Sequence, residues 1–248
     1  MTALALPTRR QEAWRYADLD ALAALWPLPA REDLRVGAGE DFARSIVLGD
    51  DDAGQGGVVQ LSLVVEAGGR AAIHALNTGA GYGRIELAVT LHAGADFTLG
   101  AVQLGAGSAN LEVICTVTHA EPDATSRQVV RSVLAGQAVG TCLGKVEVAK
   151  GANGTDAQQS VRAMLLDRSA TANAKPELEI FADDVKCAHG CAVGELDAMG
   201  LFYMAARGLP QETAKKLMLQ AFIAEAFAGA RDEDTLLAAA LERLGDLV

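Results

Sequence analysis

Apolar and polar positions alternate with a period of two along most of the stretch from residue 45 to residue 193. Segments 58–65, 84–92, 110–118, 144–149 and 177–186 all follow this pattern. Successive side chains on a strand point to opposite faces, so each run predicts a strand with one covered face. Gly-bearing turns at 67–69, 93–95 and 150–154 punctuate the runs. No amphipathic segment of helical length lies between them to serve as a βαβ crossover, which predicts an all-β body. The spacing leaves sandwich, jelly roll and solenoid open, because no strict sequence repeat is present.

Both ends of the chain switch to a helical period. Thr8 and Gln11 have the spacing of a capping box and predict a short helix through Glu12, Trp14 and Tyr16. Leu19, Leu22 and Trp26 share one stripe of a second helix, which Pro27 and Pro29 end. Towards the other terminus, Asp197 is placed to cap a helix ending at Arg207, with Gly208 in the left-handed position after it. Pro210 introduces a longer helix through Leu217, Gln220, Ile223, Ala224 and Phe227, closing near Gly229. Asp232 is placed to cap a last helix carrying Leu237, Leu241, Leu244 and Val248. The expected organisation is a short helical segment over 1–30, a β core over 31–195 and a helical domain over 196–248. Such helices do not bury their apolar stripes alone, so the C-terminal ones must pack on the β body or on another protein.

Composition narrows the partners more than the fold. The 248 residues include 26 Gly and only 4% aromatics, which suits short strands and tight turns. A net charge of −11 without a Lys/Arg cluster argues against binding to nucleic acid or to anionic membrane. No run reaches the roughly 18–20 apolar residues of a membrane span. The first seven residues lack the basic and apolar regions of a secretion signal, so the cytoplasm is the expected location. There Cys115, Cys142, Cys187 and Cys191 are expected as thiols, not disulfides.

Candidate chemistry concentrates in Cys187, His189 and Cys191. Along a strand these three share one face, and thiolate and imidazole are ligands that iron, zinc and copper(I) favour. Same-face neighbours sit roughly 6.6 Å apart and the two cysteines roughly 13 Å apart, whereas metal–ligand bonds are only about 2.0–2.3 Å. Two adjacent donors can reach one ion; all three cannot without a bend, which Gly190 permits. A site completed by a partner chain or a bound cluster fits this spacing better than a closed zinc site. The plain alternative is small buried residues beside one hydrogen-bonded histidine. Cys115 and Cys142 lie in apolar runs and are expected in the core, and His74, His92 and His119 form no constellation.

At these residues the chain resembles the SufD family of iron–sulfur cluster assembly scaffold subunits. Residues 175–190, Lys-Pro-Glu-Leu-Glu-Ile-Phe-Ala-Asp-Asp-Val-Lys-Cys-Ala-His-Gly, carry the family's most recognisable segment. Blocks 7–16, 151–166 (with Thr-Asp-Ala-Gln-Gln at 155–159) and 201–208 agree in family order. The resemblance implies a mainly β protein: a right-handed parallel β-helix core flanked by a short N-terminal helical segment and a C-terminal helical domain. It implies a non-enzymatic subunit that pairs with a SufB-like protein and docks a SufC-like ATPase through its C-terminal helices. Leu201, Phe202, Tyr203, Arg207, Leu217, Phe222 and Phe227 are the docking candidates. A transient iron–sulfur cluster at the subunit interface is implied, with no cofactor permanently bound. For that cluster and for any shared metal contact, His189 is the first candidate and Cys187 the second. Cys191, where the family usually has a small residue other than cysteine, is an extra ligand, a spare thiol or packing. The chain is also shorter than typical members, lacking most of their N-terminal helical domain.

No phosphate loop of the Walker type is present, so ATP hydrolysis is expected in the partner. The late β strand around 178–186 is expected to offer an edge for pairing with SufB and, in isolation, with a second copy. Two other functions compete. One is a stand-alone metal-binding β enzyme using Cys187 and His189, with Asp183 or Glu195 in acid–base work. The other is a purely structural β-helix interaction module.

Overall fold

The structure, a computed structural model, describes residues 6–49, 56–79 and 81–247. The first five residues, part of the stretch read for a secretion signal, lie outside these, as does Val248 of the last helical stripe. Six strands form one sheet in the order β1 (Glu32–Val36), β3 (Gly56–Val65), β5 (Tyr82–Leu91), β7 (Asn110–His119), β9 (Val139–Val148) and β11 (Thr171–Ile180). The second sheet holds β2 (Asp41–Leu48), β4 (Arg70–Asn77), β6 (Asp96–Gly105), β8 (Thr125–Leu134), β10 (Asp156–Leu165) and β12 (Lys186–Gly194). Neighbouring strands within each sheet run parallel. The chain alternates between sheets at every step, so the body is a parallel β-solenoid, as the resemblance implied.

Register explains why the repeat was invisible in the sequence. Gly56 lies against Tyr82, Tyr82 against Asn110, Asn110 against Val139 and Val139 against Thr171, steps of 26, 28, 29 and 32 residues. Each turn keeps its strands and varies its corners. Inside, same-register side chains stack in columns: Leu63, Val89, Val117, Val146 and Leu178 in the first sheet. Ile73 and Leu99 stack in a facing column in the second. Most of this interior is one apolar core, and Cys115 and Cys142 belong to it.

Helices cover the outer faces. α2 (Ala198–Ala206), α3 (Gln211–Phe227) and α4 (Glu233–Gly245) follow the last strand. α3 and α4 bury Leu219, Ile223, Phe227, Leu236 and Leu244 against Leu76, Val102, Leu104 and Val133 of the second sheet. A β-carbon on Gly100 would stand 1.7 Å from the Ala226 carbonyl oxygen, so only glycine admits the end of α3 this close to β6. Arg131 on β8, fully buried, ties α3 to the sheet by donating to the Glu225 carboxylate at 2.7 Å and to the Ser160 hydroxyl of β10 at 2.9 Å. α2 buries no side chain.

The N-terminal segment straps the outer face of the first sheet. α1 (Leu19–Ala24) is capped by Asp18, whose Oδ1 accepts from Asp20 N at 3.1 Å and Ala21 N at 3.0 Å. Before it, Trp14 lies 3.7 Å over the guanidinium of fully buried Arg84. Arg84 Nη1 donates to the Ala13 carbonyl at 2.9 Å and to the Glu112 carboxylate at 2.8 Å, and the Tyr82 hydroxyl donates to the same carboxylate. Lys175 on β11 pairs with Glu12 at 2.5 Å. The strap therefore reaches from β5 to the last strand of its sheet.

Four local expectations are corrected. Segment 177–186 is not one strand: β11 ends at Ile180 and β12 starts at Lys186, with Asp183 and Asp184 in the turn their side chains favour. The Thr8–Gln11 box opens only a 3-10 turn over Glu12–Trp14, with Gln11 Oε1 accepting from Thr8 N at 3.4 Å. α1 stops at Ala24, short of the predicted Leu25 and Trp26. In α4 the deepest positions are Leu236, Ala240 and Leu244, and Leu237 and Leu241 are half-buried beside them. At Asp197 and Gly208 the expected caps are present: Asp197 accepts from Met199 N and Gly200 N, and Gly208 has φ 86°.

Two predictions follow from the buried polar groups. Arg84→Met leaves Glu112 buried without its cation and lowers stability by about 3–5 kcal/mol; adding Glu112→Leu recovers most of it in urea unfolding. His119, buried with Nε2 at 2.9 Å from the Ser126 hydroxyl, has its pKa pushed down to about 4 by burial. The unfolded chain protonates this ring near 6.5 and the folded chain only near 4. Stability therefore falls as pH drops through that window, by up to about 1.4 kcal/mol per pH unit from this group. His119→Gln flattens that part of the stability–pH curve.

Candidate functional site

β12 is the outermost strand of its sheet and β11 of the other, so together they form the end rung of the solenoid. Along β12, Cys187 lies against Ala157, His189 against Gln159 and Cys191 against Val161. Cys187 packs with Val146, Val148, Ala157 and Leu178, which places it on the inner face. The Cys191 Sγ lies 3.8 Å from the Ala174 carbonyl of the opposite sheet, so it too points inward. His189, midway between them, shares that face. With no rung beyond, Cys187 is half-buried and His189 and Cys191 are exposed.

β12 runs unbroken through Gly190, so no bend gathers the triplet. Among the described residues, no group of three or more His, Cys, Asp or Glu side chains is arranged to hold a metal ion. The end rung thus offers a row of donors on one face, roughly 6.6 Å apart, and leaves any shared centre to be completed from outside. The other histidines are engaged elsewhere. His92 Nδ1 lies 3.2 Å from Glu121, His119 meets Ser126, and His74 is buried on β4 next to Gly100.

Both ends of the solenoid carry charged side chains, on β1 and β2 at one end and on β11 at the other. Near the first rung, Arg44 pairs with Glu32 at 2.7 Å, Arg35 with Glu66, and Arg70 with Asp41 at 3.8 Å. Charges along an edge oppose pairing with another strand. Within β12 only Lys186 is charged, and Ile180, Phe181 and Val193 are exposed nearby.

Thiol electrostatics follow depth. Burial pushes the Cys142 thiol up to about 12, with Cys191 adding to the shift, and raises Cys115 further still. Cys187 is raised mainly by burial, and a hydrogen bond from the Ala157 backbone offsets part of that.

The helical candidates separate into two groups. Phe202, Tyr203, Arg207 and Leu217 are exposed, and Met199, which the sequence pattern did not single out, is 72% exposed beside them. Arg207 stacks on Tyr203 at 3.7 Å. Leu201 and Phe222 are half-buried, and Phe227 is fully buried. Phe227 therefore does not belong on an exposed docking face: with Leu219 and Ile223 it forms the i, i+4 stripe that faces the sheet.

The family model for the SUF system FeS cluster assembly SufBD core domain matches residues 46–222, from within β2 into α3. The chain belongs to the SufBD core family. Relatives include the iron–sulfur cluster assembly protein SufD of Escherichia coli K12, 36% identical over 115 residues, 46% of this chain and 27% of that protein. Protein ABCI7, chloroplastic, of Arabidopsis thaliana is 44% identical over 107 residues, 42% of this chain and 22% of that protein. An iron–sulfur cluster assembly SufBD family protein of Synechocystis is 37% identical over 110 residues, 44% of this chain and 24% of it. The matched segments span about a quarter of the length of these relatives. SufD is thus the branch of the SufBD family whose named members this chain resembles.

A thiol-specific reagent should label the folded SufBD chain at Cys191 first and at Cys187 more slowly. Cys115 and Cys142 should react only on unfolding. Cys191→Ser should remove the fast phase; fast labelling of four thiols in the native protein would contradict this burial.

Proposed function

We propose that this chain is a non-catalytic, SufD-like scaffold subunit in iron–sulfur cluster assembly. Its end rung pairs with a SufB-like protein, and α2 with the start of α3 docks a SufC-like ATPase. The nascent cluster is cargo, held transiently between subunits. His189 is its first contact from this chain, Cys187 the second and Cys191 the least engaged. The observation that carries this reading is the open end: the edge of β12, charged only at Lys186, presents inward-facing Cys187, His189 and Cys191 where the next rung would lie.

A partner strand laid on β11 or β12 satisfies the unpaired backbone groups and brings its own donors within reach of His189. Purified alone, the chain pairs through the same edge with a second copy. The ATPase reading rests on the exposed Met199, Phe202, Tyr203 and Leu217, an apolar group that no part of the solenoid covers. Nucleic acid and membrane are not among the proposed partners: the chain is acidic, and among the described residues no helix is long and apolar enough to cross a bilayer. The cytoplasm is the proposed location for a bacterial setting, and a plastid for a relative such as the one named chloroplastic.

Co-expression with SufB and SufC should give a three-component complex. His189→Ala should leave that complex assembled and lower cluster yield by about tenfold or more, whereas an undiminished yield would remove the histidine from the account. Phe202→Glu with Tyr203→Glu should abolish SufC co-purification and leave SufB bound.

A further inference from the structure

The inner column that ends at His189 changes character along its length. In register it runs Arg44, Ile73, Leu99, Gln128, Gln159 and His189, apolar at the second and third rungs and polar at the last three. Both glutamines are more than nine-tenths buried. They face the interior, because a β-carbon on Gly144 of the opposite sheet would stand 3.0 Å from Gln159 Nε2. Gln159 Nε2 donates to Gln128 Oε1 at 3.3 Å, which leaves Gln159 Oε1 a buried acceptor without a partner.

A buried carbonyl without a donor is costly, so one at this place calls for a partner. One rung away and on the same face, the His189 ring carries an N–H and lies exposed at the open end. We propose that Gln159 is the positioning residue for His189: its Oε1 accepts the N–H of one ring nitrogen and holds the imidazole in a single tautomer. The other nitrogen then keeps its lone pair turned out of the open end, the form in which an imidazole ligates a metal. Gln128 holds the Gln159 amide from behind. Gly144 leaves the space that both amides occupy.

This inference rests on the proposed cluster role of His189 for its meaning, though not for its test. Nitrogen-15 chemical shifts of the His189 ring, measured on the full chain with the ring neutral, report the ratio of its two tautomers. Gln159→Leu should shift that ratio about fivefold from the wild-type value, as loss of one ordinary hydrogen bond implies. Gln159→Glu, which keeps an acceptor at the same reach, should hold the wild-type tautomer. Gln159→Met, unbranched and close in volume, serves for the same comparison if the leucine variant does not fold. An unchanged ratio in the folded Leu or Met variant, or a Glu variant that behaves like them, overturns the proposal. If Gln159→Leu shifts the ratio while His189→Ala leaves cluster yield intact, the positioning stands and the cluster role is what fails.

Discussion

A parallel rung satisfies its backbone only when another rung lies on each side of it. That constraint organises this molecule. It forces the chain to add turn upon turn, and it stacks same-register side chains into inner columns. It also leaves whatever occupies the last rung exposed on a face that would otherwise be core. Cys187, His189 and Cys191 are inward-facing residues by register and surface residues by position, and that double character makes them chemically available. The same three side chains one rung earlier would be covered as Ala157, Gln159 and Val161 are.

The flanking segments serve the same constraint from outside. α3 and α4 cover the second sheet through an apolar stripe, a glycine that admits the helix backbone, and the Arg131–Glu225 bond. The strap at Trp14 spans the first sheet from Arg84 to Lys175, the latter on the strand that forms half of the open end. The sequence block around Trp14 therefore has a physical reading here. It clamps a buried arginine–carboxylate pair that would otherwise face solvent through its tryptophan side. α2 buries none of its side chains fully, and its Phe202 and Tyr203 are exposed.

What could be read from the residues alone followed from local rules. Alternation marked the strands because side-chain period is a local property, and Asp197 and Gly208 marked a helix because caps act within a few residues. The solenoid itself came only through family resemblance, since turns of 26 to 32 residues leave no fixed period to detect. The break at 181–185 is not legible in the sequence because Asp183 and Asp184 sit where the alternation continues. Phe227 was misassigned because a helical stripe does not say which face meets a sheet. Gln159 could not be singled out at all: its link to His189 is a pairing across 30 residues, visible only once register is known.

Everything proposed for the end rung depends on its being the face that meets a SufB-like partner. Hydrogen–deuterium exchange of the chain alone and in complex with SufB tests it directly. Protection should concentrate in β11 and β12, around His189, with β1 and β2 unchanged. Protection confined to β1 and β2 or to the helices, with β12 exchanging as in the free chain, would contradict it.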